Sequence, residues 1–211
     1  MGRTGHVAVG AFASAAATIA APALARFTRT HPDVKVTLAQ TEPREAHEAL
    51  LAGRLDLALT FAYDLMPDDP PDGIQQVLLA SDPVLAALPS DHALAQRETV
   101  RLAELADERW IAAPVAGLPL DGLRAAARTP GFRPAVHFEG DDFRTVLALV
   151  AAGMGVALLP RLALRQPPPG VAIAAVTDAP VTRLLHVARR RSTLAVPATD
   201  ALELELLSAN G

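Results

Sequence analysis

The 211-residue sequence predicts an α/β fold of two αβ lobes, and three observations carry that expectation. Between residues 6 and 61, apolar runs of strand length alternate with segments of helical period, an order that calls for right-handed parallel crossovers. The Pro/Asp cluster from Met66 to Gly73 then breaks the pattern, and a second αβ series runs from about Pro83 to Val176. Finally, 51% of the residues are hydrophobic and 20% charged, which suffices for a buried core and excludes a disordered or collagen-like chain despite 18 Pro and 13 Gly.

The elements follow in order. His6-Val7-Ala8-Val9-Gly10 reads as a buried strand, and the next segment as a helix with Ser14 at its N-cap and Ile19, Ala23 and Phe27 on one face. His31-Pro32-Asp33 ends that helix, and Val34 to Leu38 alternates apolar with polar, the period of a strand. Glu42 to Ala52 is a helix with Glu42 and Glu45 toward its positive end, Ala46, Ala49 and Leu50 on a face, and Gly53 at C′. Leu55 to Phe61 has the composition of a buried strand. Asp82-Pro83 precedes the apolar run Val84 to Leu88, which Pro89-Ser90-Asp91-His92 stops. Beyond it come a short helix (Leu102 to Ala106), a strand (Trp110 to Ala113), an alanine-rich helix (Leu118 to Arg128) and a strand (Val136 to Glu139). Asp141-Asp142 lead into a helix from Phe143 to Ala152, ended by Gly153, and Val156 to Leu159 follows. Leu184 to Arg189 and Asp200 to Leu207 supply a last strand and an amphipathic helix.

Several chemistries are disfavoured by the residues themselves. Nineteen Lys+Arg against 23 Asp+Glu give a net charge of -4, a poor field for a polyanion, so direct nucleic-acid or acidic-membrane binding by this chain is not expected. The absence of cysteine removes disulfides, thiolate nucleophiles and Cys-ligated zinc. The six histidines form no HxxxH or HxH pair, so no metal is expected. Asp141-Asp142 read as a helix cap rather than a catalytic pair, and Gly153-Met154-Gly155 follows a helix instead of preceding one, the reverse of a phosphate cradle. Arg189-Arg190-Arg191 reads as an exposed turn, and no GxSxG surrounds Ser14. No enzyme and no cofactor is therefore expected; a ligand held where strand ends meet helix N-termini is the natural function. Free helix N–H groups there favour a small carboxylate or similar acceptor-rich ligand, whereas Glu42, Asp141 and Asp142 near the same ends would suit a cationic or hydroxyl-bearing one.

The order of motifs resembles the effector-binding domain of LysR-type transcriptional regulators over nearly the whole chain. Gly5-His6-Val7-Ala8-Val9-Gly10, Pro22-x-Leu24-x-x-Phe27, His31-Pro32-Asp33-Val34 and Leu50-x-x-Gly53-x-Leu55-Asp56-Leu57-Ala58-Leu59 carry the first part. Pro89-Ser90-Asp91-His92-Ala93-Leu94-Ala95 is similar to the family's P-x-D-H-P-L-A, with Ala93 where Pro is usual, and Leu102 to Ile111 to its L-x-D-L-x-x-x-x-W-I. The most specific match is Val150-Ala151-Ala152-Gly153-Met154-Gly155-Val156-Ala157-Leu158-Leu159-Pro160.

The resemblance implies a type 2 periplasmic-binding-protein-like fold, two Rossmann-like lobes joined by two crossing segments. Lobe I would be residues 1–80 plus 181–211 and lobe II residues 81–180. It also implies a cytoplasmic, homodimeric sensor that binds a small-molecule effector in the interlobe cleft and reaches DNA only through an N-terminal winged helix-turn-helix, which this sequence does not contain. The implied ligand-binding residues are Phe12, Ala13, Ser14, Thr41, Phe61, Ala62, Val115, Ala116, Asp142 and Phe143. Val7 to Ala25, uncharged and ending in Ala23-Leu24-Ala25, has the shape of a leader and keeps an exported solute-binding protein of the same fold as the alternative. An aromatic-acid dehydratase on this fold is disfavoured, because no acid/base pair emerges.

Overall fold

The computed structural model describes residues 5–65, 69–112, 135–139, 142–191 and 196–208. The helix expected over Leu118 to Arg128 lies outside the described residues, as do Asp141, Val115 and Ala116. The chain divides into two compact units, one made of Met1–Ala62, Asp68–Ser81 and Leu184–Gly211, the other of Tyr63–Pro67 and Asp82–Arg183.

Strands β1 (Gly5–Ala11), β2 (Val34–Gln40), β3 (Leu57–Tyr63) and β4 (Ile74–Pro89) come first in the chain. After them come β5 (Thr99–Val100), β6 (Arg109–Ala112), β7 (Ala135–Glu139), β8 (Ala157–Pro160), β9 (Val171–Val176) and β10 (Thr182–Arg190). The helices are α1 (Ala13–Ala15), continuing through a π turn (Ala16–Ala20) into α2 (Ala21–Thr30), then α3 (Pro43–Leu51), α4 (Phe143–Ala151) and α5 (Pro197–Ser208).

In the first unit the strand order is β2-β1-β3-β10-β4. β1 lies parallel to β2 (Ala11 opposite Gln40) and to β3 (Ala11 opposite Leu59), the crossover topology expected from the alternation. Val7 and Val9 of the central strand are fully buried, and Ile19, Ala23 and Phe27 are buried along the following helix, as their spacing predicts. The π turn has a local cause. Pro22 has no N–H, and its ring crowds the carbonyl four residues back; the helix widens so that the Ala21 N–H bonds the Ala16 carbonyl instead. His31 closes α2 and stacks on Phe27 with ring centroids 4.3 Å apart. Asp56 extends the sheet: its N–H donates to the Ala8 carbonyl and its carboxylate accepts the Ala8 N–H, both at 2.8 Å.

The second unit has a different plan. β4 pairs antiparallel with β8 (Ala86 opposite Leu158) and with β9 (Ala86 opposite Ala174), and β5 lies parallel to β9. β6 and β7 form a parallel pair. Val146, Leu147 and Val150 of α4 pack on Ala87, Ile111, Ala157 and Leu159. Each such fully buried aliphatic side chain is worth roughly 1.5–3 kcal/mol relative to exposure.

The two glycines flanking Met154 have distinct jobs. Gly153 sits at φ +71 with its N–H on the Val150 carbonyl and the Met154 N–H on that of Leu149, a left-handed helix stop. Gly155 passes so close to the Arg109 carbonyl that a Cβ would collide with it, while Val156 pairs with β6 on either side of that contact. Gly53 (φ +69) ends α3 in the same way as Gly153 ends α4. The P-S-D-H-A-L-A and L-A-E-L…W-I segments are likewise structural. His92 Nδ1 accepts the Leu94 N–H at 3.1 Å, which leaves Nε2 to donate to Glu108 at 3.1 Å. Buried Trp110 donates its indole N–H to the Leu105 carbonyl.

One element expectation is sharpened, one strand was not foreseen, and one expectation needs correction. The segment from Leu102 is a 3₁₀ turn (Leu102–Leu105), its N–H groups at Leu102 and Ala103 taken by the Asp178 carboxylate. β9 was not legible, because Val171–Val176 follows a Pro/Gly break without a polar alternation. Above all, Asp82-Pro83 does not precede a strand but lies inside one: β4 runs from Ile74, and the Val84 N–H beyond the proline bonds the Val181 carbonyl. Asp82 tolerates the interior because it is fully used there. One oxygen accepts the Leu162 N–H at 3.0 Å and the other accepts Arg183 Nε and Nη2 at 3.1 and 2.7 Å. Both side chains are almost completely buried, 1% exposed for Arg183 and 4% for Asp82.

Candidate functional site

The parallel order β2-β1-β3 brings three strand ends side by side in the first unit, and six of the expected residues lie at those ends or just beyond them. Phe12 leaves β1 and holds the N-cap position of α1 with extended backbone, φ -71 and ψ 156. Its buried ring meets Phe61 of β3 edge-on, centroids 4.8 Å apart and planes at 77°. Ala13 is exposed and Ser14 half-buried just behind it, and Ala62 follows Phe61.

The Thr41 N–H donates to the Ala11 carbonyl at 3.0 Å, which pins the end of β2 to the end of β1. Its hydroxyl has only long approaches to the Glu42 carbonyl and to Glu45 Oε2, 3.4 Å each. Phe12, Ala13, Ser14, Thr41, Phe61 and Ala62 therefore share one edge of one sheet.

Ser14 is not the helix cap that the sequence predicts. The chain passes from paired Ala11 into the helix within one residue, so Phe12 occupies the cap, and Ser14 lies inside the first turn, where its carbonyl accepts the Thr18 hydroxyl at 2.7 Å. This helix start consequently has no side-chain cap hydrogen bond and no acid in its first turn. Glu42 also differs from expectation: it is the N-cap residue of α3, without a side-chain cap bond, while Glu45 supplies the acid in that first turn.

In the second unit, Asp142 behaves as a cap. Its carboxylate accepts the Thr145 N–H at 2.9 Å and the Thr145 hydroxyl at 3.0 Å. The backbone N–H of Thr145, then its hydroxyl, hold the Asp142 carboxyl below the ordinary carboxylate range. Phe143 opens α4 and packs against the apolar cluster of this unit. Nothing among the described residues groups three or more His, Cys, Asp or Glu as a metal site. Among the same residues no helix is long and apolar enough to cross a membrane.

One close approach beside this edge was missed. Gly10 faces Thr41 and Leu55, and a Cβ there would lie 2.8 Å from Thr41 Cγ2 and 2.5 Å from Leu55 Cδ1. A glycine inside a strand was the available signal, since it marks a close approach.

An α/β chain with loops gathered at parallel strand ends, and with Asp82, Glu104, Asp142 and Asp178 of its second unit bonded to backbone N–H groups, has the form of a ligand-binding domain. The LysR substrate binding domain model matches residues 2–209, and the chain belongs to that family. It is 32% identical over 163 residues to the HTH-type transcriptional regulator YnfL of Escherichia coli (strain K12), covering 75% of this chain and 53% of that protein. The chain thus spans about half the length of that curated relative.

Among solved structures, it is similar to the C-terminal domain of a probable LysR family regulator from Rhodococcus sp. RHA1, with TM-score 0.81, 25% identity, and 97% and 99% of the two chains covered. It also shares its fold with the BenM effector binding domain with its effector benzoate, at TM-score 0.80 and 20% identity over 97% and 91% of the chains. The fold is the type 2 periplasmic-binding-protein-like fold, and the chain is a ligand-sensing domain of the LysR type. The family is one of transcriptional regulators.

Proposed function

We propose that this domain senses a small carboxylate and relays its presence to a separate DNA-binding segment. One observation carries the carboxylate: the helix that starts at Phe12 presents its positive end at the strand edge with neither a side-chain cap bond nor an acid in its first turn. The half-exposed Thr41 hydroxyl, with only long contacts of its own, is a second group suited to such a ligand. Benzoate bound to a protein of this fold is consistent with the same chemistry. Phe12, Ala13, Ser14, Thr41, Phe61 and Ala62 form the core of the proposed site. Val115, Ala116, Asp142 and Phe143 are proposed as further contacts on the family resemblance alone. The proposal includes lobes at 1–80 plus 181–211 and 81–180, a homodimer in the cytoplasm, and no turnover of the ligand.

Paired thermal shifts test this reading. A carboxylate at a hundred times its Kd adds about 2.7 kcal/mol and raises Tm by roughly 5–10 °C at this size, whereas its amide counterpart leaves Tm unchanged. Benzoate against benzamide is the first pair. Equal responses to acid and amide across a panel of such pairs would remove the carboxylate.

A further inference from the structure

A glycine at position 10 is not demanded by backbone conformation, because β1 is an ordinary strand and Gly10 is absent from the positive-φ glycines. What it does is leave room. The gap it leaves is filled by the Thr41 methyl and the end of Leu55, each of which would stand under 3 Å from any Cβ at residue 10. The two neighbours differ in how they can yield. Leu55 can swing its terminal methyl at modest cost, but Thr41 is β-branched, and moving Cγ2 means turning χ1 and with it the hydroxyl. The Thr41 backbone cannot follow, since its N–H is tied to Ala11, the residue next to Gly10. With the methyl seated in the gap, the hydroxyl reaches toward the Glu42 carbonyl and Glu45 Oε2 at the start of α3, and its contacts there are at the outer limit of a hydrogen bond.

We propose that Gly10 is a positioning residue for effector binding: by lacking a side chain it seats the Thr41 methyl against β1 and thereby presents the Thr41 hydroxyl to the ligand. This rests on the carboxylate-sensing reading of the same strand edge. Gly10 itself touches no ligand; it acts through one rotamer.

The experiment follows the ¹³C-labelled threonine methyl resonances of the domain, with the Thr41 signal identified by its loss in Thr41→Ser, and titrates sodium benzoate by calorimetry. Gly10→Ala is expected to shift the Thr41 methyl and its three-bond couplings to another rotamer and to weaken benzoate about tenfold, the size of one lost hydrogen bond to a charged acceptor. Thr41→Ser, which deletes the methyl and keeps the hydroxyl, is expected to restore affinity in the Gly10→Ala background to within about twofold of its own single-variant value. Thr41→Val keeps the seated shape without the hydroxyl, and about tenfold weaker binding is expected there too. This variant decides the matter if Gly10→Ala does not fold. An unmoved Thr41 methyl in Gly10→Ala, a moved methyl with unchanged affinity, or full affinity in Thr41→Val would each overturn the proposal. Failure of the wild type to bind benzoate or any other acid of that panel would instead sink the carboxylate reading, and the role of Gly10 in binding with it; that failure shows in the unmodified protein, whereas failure of the positioning idea shows only in the variants.

Discussion

Two helix starts in this molecule both read as capped in the sequence and turn out differently. The helix at Ala13 follows a strand end, carries no acid in its first turn and takes an aromatic residue as its cap. The helix at Phe143 is preceded by Asp142, which spends both oxygens on Thr145. The second pattern recurs through its unit: Asp178 closes on Leu102 and Ala103, Glu104 on the Arg101 N–H, and Asp82 on Leu162 and Arg183. Acids committed to their own backbone hold loops in place and have little left for a ligand. A helix end without a side-chain cap, beside a hydroxyl whose own contacts are long, is the place proposed for a small anion, and that combination lies in the first unit.

Breaking the commitments should therefore cost stability rather than affinity, in proportion to burial. The largest effect is expected at Arg183→Met, which leaves Asp82 charged, buried and short of two donors; destabilisation by about 3–5 kcal/mol in urea unfolding is the expected result. A change below about 1 kcal/mol would mean that the pair is not closed in solution.

Next comes Asp142→Ala, expected to lower Tm by about 2–4 °C at neutral pH through loss of the cap. Its pH dependence has a defined sign. The folded carboxyl titrates below its ordinary value of 3.8, so its stabilisation is complete above that value and is lost as the pH falls through the lower, folded one. Wild type and Asp142→Ala should converge in strong acid, and benzoate affinity should separate them at neutral pH only if Asp142 also contacts the ligand.

The smallest effect belongs to His186 on β10 of the first unit. Burial, and then the nearby His47, push its proton affinity below the ordinary 6.5. The unfolded chain then binds the proton more tightly than the folded one, so stability falls as pH drops from 6.5 to the lower folded value and levels off beneath it. His186→Gln should flatten that part of the stability curve, as seen in urea midpoints between about pH 7 and 5.

Much of this architecture was legible because it repeats short-range rules. The valines of β1, the Ile19-Ala23-Phe27 face, the glycine stops at residues 53 and 153 and the Asp142 cap all depend on neighbours within a few positions. Where expectation failed, a distant partner had intervened. Asp82 reads as a strand breaker until Arg183, 101 residues away, neutralises it. Ser14 reads as a cap until β1, paired on both sides, delivers Phe12 to that position first. Gly10 reads as one more small residue until Thr41 and Leu55 close on it.

From its order of residues alone, then, this chain declares an α/β framework, its family and the loops from which a ligand would be sought, because hydrophobic period, turn chemistry and caps are settled locally. Which of those loop residues are committed to the backbone and which stay available was decided only on folding. Partners brought together across 31 residues from Gly10 to Thr41, or 101 from Asp82 to Arg183, are chosen by strand pairing and leave no local pattern to read.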